Sequence, residues 1–211
     1  TSLDAERVLI AAGRALNSRA IGLEAVGVTV ARGAIQVNER LETSVPGIYA
    51  IGDVTGVSLL AHVASMQGLV AAANVTGGDA RMDYSAIPNC IYTDPEIASV
   101  GLSEPRAKEQ GRAVKVGRFN FAALGKAMCI GEIAGLVKVV ADAQTDRVLG
   151  VGIVGPHATD IIAEGVLAVR HGLTATQVAE TIHSHPTLPE AVGEAMHDVH
   201  GQAIHKARLR A

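Results

Sequence analysis

The residue types that proton transfer requires are concentrated near the C-terminus, in His183-Ser184-His185-Pro186-Thr187-Leu188-Pro189-Glu190-Ala191. Histidine is the side chain whose ordinary pKa places proton exchange near neutrality. Pro186 pushes His185 out of the helical region toward extended backbone, so its imidazole is presented by a stiff loop. Thr187 is placed to cap a helix that opens at Pro189 and carries Glu190. Two readings of Glu190 then stand side by side. As Thr-x-x-Glu before an apolar run, Thr187 and Glu190 form a capping box, and the carboxylate only satisfies backbone donors. Alternatively, Glu190 accepts a hydrogen bond from one ring nitrogen of His185, fixing the tautomer and raising the basicity of the other nitrogen. A cis peptide is expected between His185 and Pro186, because proline is the residue that makes cis accessible.

The elements around this loop follow from hydropathy. Val8 to Ala12, closed by Gly13, suits a buried parallel strand, and Ile48 to Ile51 a second one ending in Gly52-Asp53. Between them, residues 21–30 read as a helical turn and strand, and Ala34 to Asn38 alternate like a half-exposed strand. Leu59 to Val75 repeats at helical spacing and stops at Gly77-Gly78. Residues 83–88 are a linker. Beyond them, 114–121, 135–140 and 148–154 alternate as strands of an antiparallel sheet, with 142–146 as a hairpin connection. Ser103 to Gln110, Thr159 to His171 and Thr176 to Ile182 are helices, the last leading into the His185 loop. The fold class is therefore α+β.

Composition narrows the function. The 211 residues are 48% hydrophobic but 2% aromatic, so the core is aliphatic, with few rings to stack on bases. A net charge of -3 without basic runs argues against nucleic acid, and no apolar run reaches membrane-spanning length. A cytoplasmic protein is expected. Cys90 and Cys129 lack redox or metal spacing, and Cys90 reads as a small buried hydrophobe. His197-x-x-His200 with His205, and His183-x-His185, have zinc-like spacing. No cysteine or carboxylate completes a compact four-ligand set, and no metal is expected.

The His-x-His-Pro-Thr-Leu-x-Glu-Ala segment resembles the C-terminal signature of the dihydrolipoamide dehydrogenase branch of the flavin-dependent disulfide reductases. Three further stretches are similar to that family, in its order: Val8 to Arg14 to the end of its nicotinamide domain, Thr43 to Val54 to its second flavin motif, and Ile91 to Gly101 to the start of its dimerisation domain. The resemblance implies the tail of a nicotinamide-binding domain at 1–16, the C-terminal part of an α/β FAD-binding domain at 17–82, and a dimerisation domain at 83–211. There is no Gly-x-Gly-x-x-Gly on a first strand and no Cys-x4-Cys pair. The chain thus reads as the C-terminal portion of such an enzyme, unable to run the reaction alone and expected not to retain FAD.

By the same resemblance, His185 is the acid/base and Glu190 its partner. Gly13 lies beside NAD, Gly52 and Asp53 contact FAD, with Asp53 on the ribityl chain, and Leu59, Leu60, Ala61 and His62 line the flavin edge. Implied partners are a second copy of the chain, since the family donates this histidine across a homodimer, and the lipoyl domain of a 2-oxoacid dehydrogenase or glycine cleavage complex. Leu188 and the Glu190-Ala191 pair favour this branch over glutathione reductase, and the missing C-terminal cysteine pair disfavours mercuric reductase. A dimerisation module without turnover of its own is the rival from another class.

Overall fold

The computed structural model describes residues 2–206. The chain divides after Asp83 into two compact units.

The first unit is built on one long helix, α1 (Ala61–Val75). Its inward face carries Val63, Gln67, Val70, Ala71 and Asn74, spaced three and four residues apart as a helix face must be. Leu41 packs there with Val70 and Ala71. The two polar residues on that face are used to tie loops down. Asn74 donates to the carbonyls of Arg40 and Ala80 and accepts from the Ala80 amide. A two-stranded antiparallel ribbon, β1 (Val30–Ala31) and β2 (Ala34–Ile35), precedes the helix.

Two of the strands expected in this unit, at 8–12 and 48–51, are corrected, while the ribbon falls where 21–30 and 34–38 suggested strands. Residues 8–12 form no strand, and Val8, Leu9 and Ile10 are exposed. A parallel strand exists only through ladder bonds to neighbours, and the described residues offer these none. Residues 48–51 form no strand; a bridge between Glu42 and Tyr49 and bonds from the Thr43, Ile48 and Ala50 amides to the Ile48, Val45 and Leu41 carbonyls tie them to the preceding residues.

The second unit is a five-stranded antiparallel sheet in the order β3-β4-β7-β6-β5. The strands are β3 (Asn89–Ile91), β4 (Glu96–Gly101), β5 (Val114–Asn120), β6 (Leu136–Asp142) and β7 (Val148–Gly155). The β6–β7 hairpin turns where the Asp142 carboxylate accepts from the Gln144 and Thr145 amides, an Asx turn. Short helices α2 (Glu104–Glu109) and α3 (Gly125–Ile130) fill connections, α2 capped by the Ser103 hydroxyl.

One face of the sheet is sealed by α4 (Ala158–His171), α5 (Ala175–Ala179) and α6 (Glu190–Asp198). Ala158, Ile161, Ile162, Gly165 and Ala168 make the buried stripe of α4, while Ala191, Val192, Ala195 and Met196 make that of α6. Two glycines let backbone and sheet meet closely: a Cβ on Gly117 of β5 would collide with the Ala195 carbonyl of α6, and one on Gly165 would press on Val151. Helix α5 opens at a true capping box, Thr174 with Gln177, and ends at Ala179, shorter than the expected span to Ile182.

Candidate active-site loop and cofactor-facing turn

The ten residues from Glu180 to Pro189 join α5 to α6 and carry His185. Leu188 anchors the loop in the core beside Ala191. The His185–Pro186 peptide is cis, as the sequence suggested. Thr187 is not the N-cap of α6; that position is Pro189. The Thr187 hydroxyl instead turns back to donate to the Ser184 carbonyl at 2.7 Å, closing the loop on itself.

Glu190, the first residue of α6, makes a hydrogen bond of each kind weighed from the sequence. Its Oε1 lies 2.8 Å from His185 Nδ1, and its Oε2 accepts from the Thr187 amide at 2.7 Å. A carboxylate can only accept, so the ring nitrogen facing it carries the proton, and Nε2 is left with the lone pair. The Glu190 side chain is 19% exposed and that of His185 75% exposed, which directs a basic nitrogen at solvent from a carboxylate held in the fold. Burial alone would raise the Glu190 carboxyl; the Thr187 amide and the His185 ring outweigh it and hold the group below the ordinary carboxylate range. This arrangement can take a proton from a ligand and return it.

A second histidine is built in beneath. His183 places Nε2 2.8 Å from Glu164 Oε1 of α4 and Nδ1 2.8 Å from the Thr181 carbonyl. Its ring lies against Gly193 of α6. Glu194, buried on α6, receives the Ile204 amide and the His205 ring. Neither pairing was legible from sequence, because the partners are separated by 19 and 11 positions and no spacing rule links them. His200 meets Asp146 and His157 meets Asp160. Among the described residues no group of three or more His, Cys, Asp or Glu is disposed to hold a metal. Cys90 is half-buried, its thiol pushed up by burial and then by the nearby Glu96 and Asp160 carboxylates, while Cys129 is exposed.

In the first unit, the residues expected to face cofactor fall in three places. Gly52 has φ of 75° and begins a 3-10 turn through Thr55, whose hydroxyl donates to the Gly52 carbonyl. The Gly52 amide donates to Gln67 Oε1 at 2.6 Å, so α1 fixes this turn through a fully buried glutamine, a bond that helical spacing does not reveal. Asp53 presents its carboxylate outward and pairs with Arg14 at 3.4 Å. Leu59 and Leu60 lead into α1, with Ala61 and His62 in its exposed first turn and no side chain capping its positive end. Gly13 lies in the exposed stretch before Arg14, with φ of 107°. An outward carboxylate beside an uncapped helix start suits a ligand with both hydroxyl groups and an electron-rich edge, and FAD fits that description.

The family described as "Pyridine nucleotide-disulphide oxidoreductase, dimerisation domain" matches residues 87–196, and "Pyridine nucleotide-disulphide oxidoreductase" matches residues 1–68. Among curated relatives, a dihydrolipoyl dehydrogenase of Thermus scotoductus is 51% identical, over 95% of this chain and 43% of the relative. One from Bacillus subtilis is 48% identical over the same shares, and a mitochondrial one from Caenorhabditis elegans is 43% identical over 92% and 39%. The chain thus spans less than half the length of these relatives. Of solved structures, LpdA from Mycobacterium tuberculosis superimposes with a TM-score of 0.82 at 30% identity, covering 86% of this chain and 40% of that one. The flavoprotein disulfide reductase RclA from Escherichia coli gives 0.83 at 26% identity, covering 88% and 43%.

Proposed function

Because this chain belongs to the pyridine nucleotide-disulphide oxidoreductase family, we propose that it serves as part of a dihydrolipoamide dehydrogenase, an enzyme that oxidises lipoyl-domain-bound dihydrolipoamide with FAD and NAD. Residues 83–211 form its dimerisation domain, 17–82 part of its FAD-binding domain and 1–16 the tail of its nicotinamide domain. Relatives bearing that name at 43–51% identity support the reading.

The single observation that carries the chemistry is the 2.8 Å bond between His185 Nδ1 and Glu190. A dithiol attacks a disulfide only as thiolate, so a base must first remove a proton. His185 Nε2 takes it. Glu190 holds the Nδ1–H tautomer and stabilises the imidazolium, which then gives the proton to the cysteine thiolate released when the disulfide opens, or to solvent. The redox cysteine pair is not in this sequence, and His185 acts beside it from a second copy of the chain. Asp53, Gly52 and the residues from Leu59 to His62 hold FAD. When bound, FAD supplies two-electron capacity between dithiol and nicotinamide. No helix among the described residues is long and apolar enough to cross a membrane.

The test is a chimera in which this chain replaces the matching segment of the Bacillus subtilis relative. It should reduce NAD with dihydrolipoamide and turn over glutathione poorly. A chimera that folds and carries flavin yet oxidises no dihydrolipoamide would contradict the proposal.

A further inference from the structure

His183 stands two residues before His185, with its side chain only 14% exposed. Both of its ring nitrogens face acceptors: the Glu164 carboxylate at 2.8 Å and the Thr181 carbonyl at 2.8 Å. A carbonyl and a carboxylate have nothing to donate, and a neutral imidazole has one N–H. Only the imidazolium satisfies both contacts. The site is also shaped for this ring. Gly193 sits in the interior of α6, where alanine would be favoured by propensity, yet a Cβ there would come within 2.9 Å of His183 Cε1.

We propose that His183, held as an imidazolium between Glu164 and the Thr181 carbonyl, is the positioning residue of the loop that presents His185. His185 is largely exposed, and among the described residues its side chain is held by Glu190 from the helix that follows. The upstream half of the loop needs an anchor of its own. The His183 ring supplies it by tying the segment at once to α4 through Glu164 and to α6 through van der Waals contact with Gly193. The inference rests, for its catalytic consequence, on the reading of His185 as acid/base.

The surroundings favour the charged ring. Facing it are Glu164 of α4, Glu190, Glu194 and His197 of α6, and His205 of the C-terminal stretch, the last four lining one shallow cleft with His183. The hydrogen bond to Glu164 raises the His183 pKa, against an opposing effect of desolvation, with further help from the Thr181 carbonyl and the Glu190 charge. A folded pKa above the unfolded one means that the anchor is complete below about 6.5 and weakens as pH rises through the raised value.

Long-range proton–nitrogen NMR spectra of the chain, with His183 assigned by His183→Gln, test this directly. Near neutral pH both His183 ring nitrogens should carry protons, while His185 shows one tautomer protonated at Nδ1. As pH rises and His183 loses a proton, the His185 signals should broaden with the same midpoint. Glu164→Gln keeps the shape but removes the charge; the imidazolium signature of His183 near neutrality should then be lost, and with it the single His185 tautomer. A neutral His183 near neutrality in the unaltered chain would overturn the proposal. So would a His185 signature that stays unchanged when His183 titrates. Should Glu164→Gln not fold, the titration of the unaltered chain decides alone. A His185 that keeps its ordered signature in a chimera inactive toward dihydrolipoamide would defeat the acid/base reading and leave the anchor standing.

Discussion

Glu190→Gln is the substitution that separates the two roles of this carboxylate. Glutamate meets two donors at once, the His185 ring at 2.8 Å and the Thr187 amide at 2.7 Å. Glutamine has one oxygen and one NH2. If its oxygen stays on the Thr187 amide, the NH2 faces His185 Nδ1 and donates to it, which moves the ring proton to Nε2 and blocks the basic nitrogen. If the amide flips, two donors face each other at Thr187 and the loop closure is lost. The first arrangement keeps a backbone bond and exchanges a charge-assisted bond for a neutral one, a stability cost of about 1 kcal/mol. Loss of general-base function costs about 10² to 10⁴ in rate, equivalent to about 3 to 5 kcal/mol of barrier. The two effects therefore separate cleanly. In the Bacillus chimera, NADH formation from dihydrolipoamide should fall by that factor while the urea midpoint shifts little. His185→Gln should fall similarly, and the double variant should be no slower than the worse single one, since a pair acting as a unit is not additive. Unchanged turnover in Glu190→Gln would refute the reasoning and return Glu190 to loop closure alone.

Gly193→Ala should destabilise the second unit by about 1 to 3 kcal/mol in urea titrations, despite alanine's better helix propensity, because its methyl group meets the His183 ring. Gln67→Leu removes the acceptor of the Gly52 amide and should cost roughly 1 to 3 kcal/mol, with weaker flavin retention in the chimera, read by absorbance after dialysis. Stability against pH should fall on both sides. Hydrogen bonds from Lys108 and Lys138 hold Glu104 at about 2, and Glu190 and Asp142 are also depressed, so their contributions are present above the unfolded carboxylate range and disappear as pH falls through the folded values. His183 is raised, so its contribution is complete below about 6.5 and is lost as pH climbs through its folded value. The chain should sediment as a dimer at micromolar concentration, because Ile97 and Val154 on the open face of the sheet, and Leu167 and Ile182, are exposed. A monomer throughout would contradict this.

Strands β5, β6 and β7 and helix α4 were legible because alternation and the three-four spacing are local signals, whereas the short β3 and β4, which complete the sheet, were not. The strands at 8–12 and 48–51 failed for the opposite reason: apolar runs mark a capacity for burial, but the ladder bonds that make a strand come from partners elsewhere. At the loop, Pro186 and Glu190 announced the site, whereas the division of labour on Glu190 needed the distances to both oxygens. In sequence His183 offers only a zinc-like spacing to His185, because its partner Glu164 lies on another helix. Gln67 looked like one more face residue of α1, and its bond to Gly52 is a tertiary fact that spacing does not encode.

Transfer of the thiol proton to His185 is tested most directly by the half-reactions of the chimera. In rapid mixing, His185→Gln should slow flavin reduction by dihydrolipoamide about 10²- to 10⁴-fold and leave NADH-driven reduction of an artificial dye at the unaltered rate. Equal rates of flavin reduction by dihydrolipoamide in the variant and the parent would contradict it.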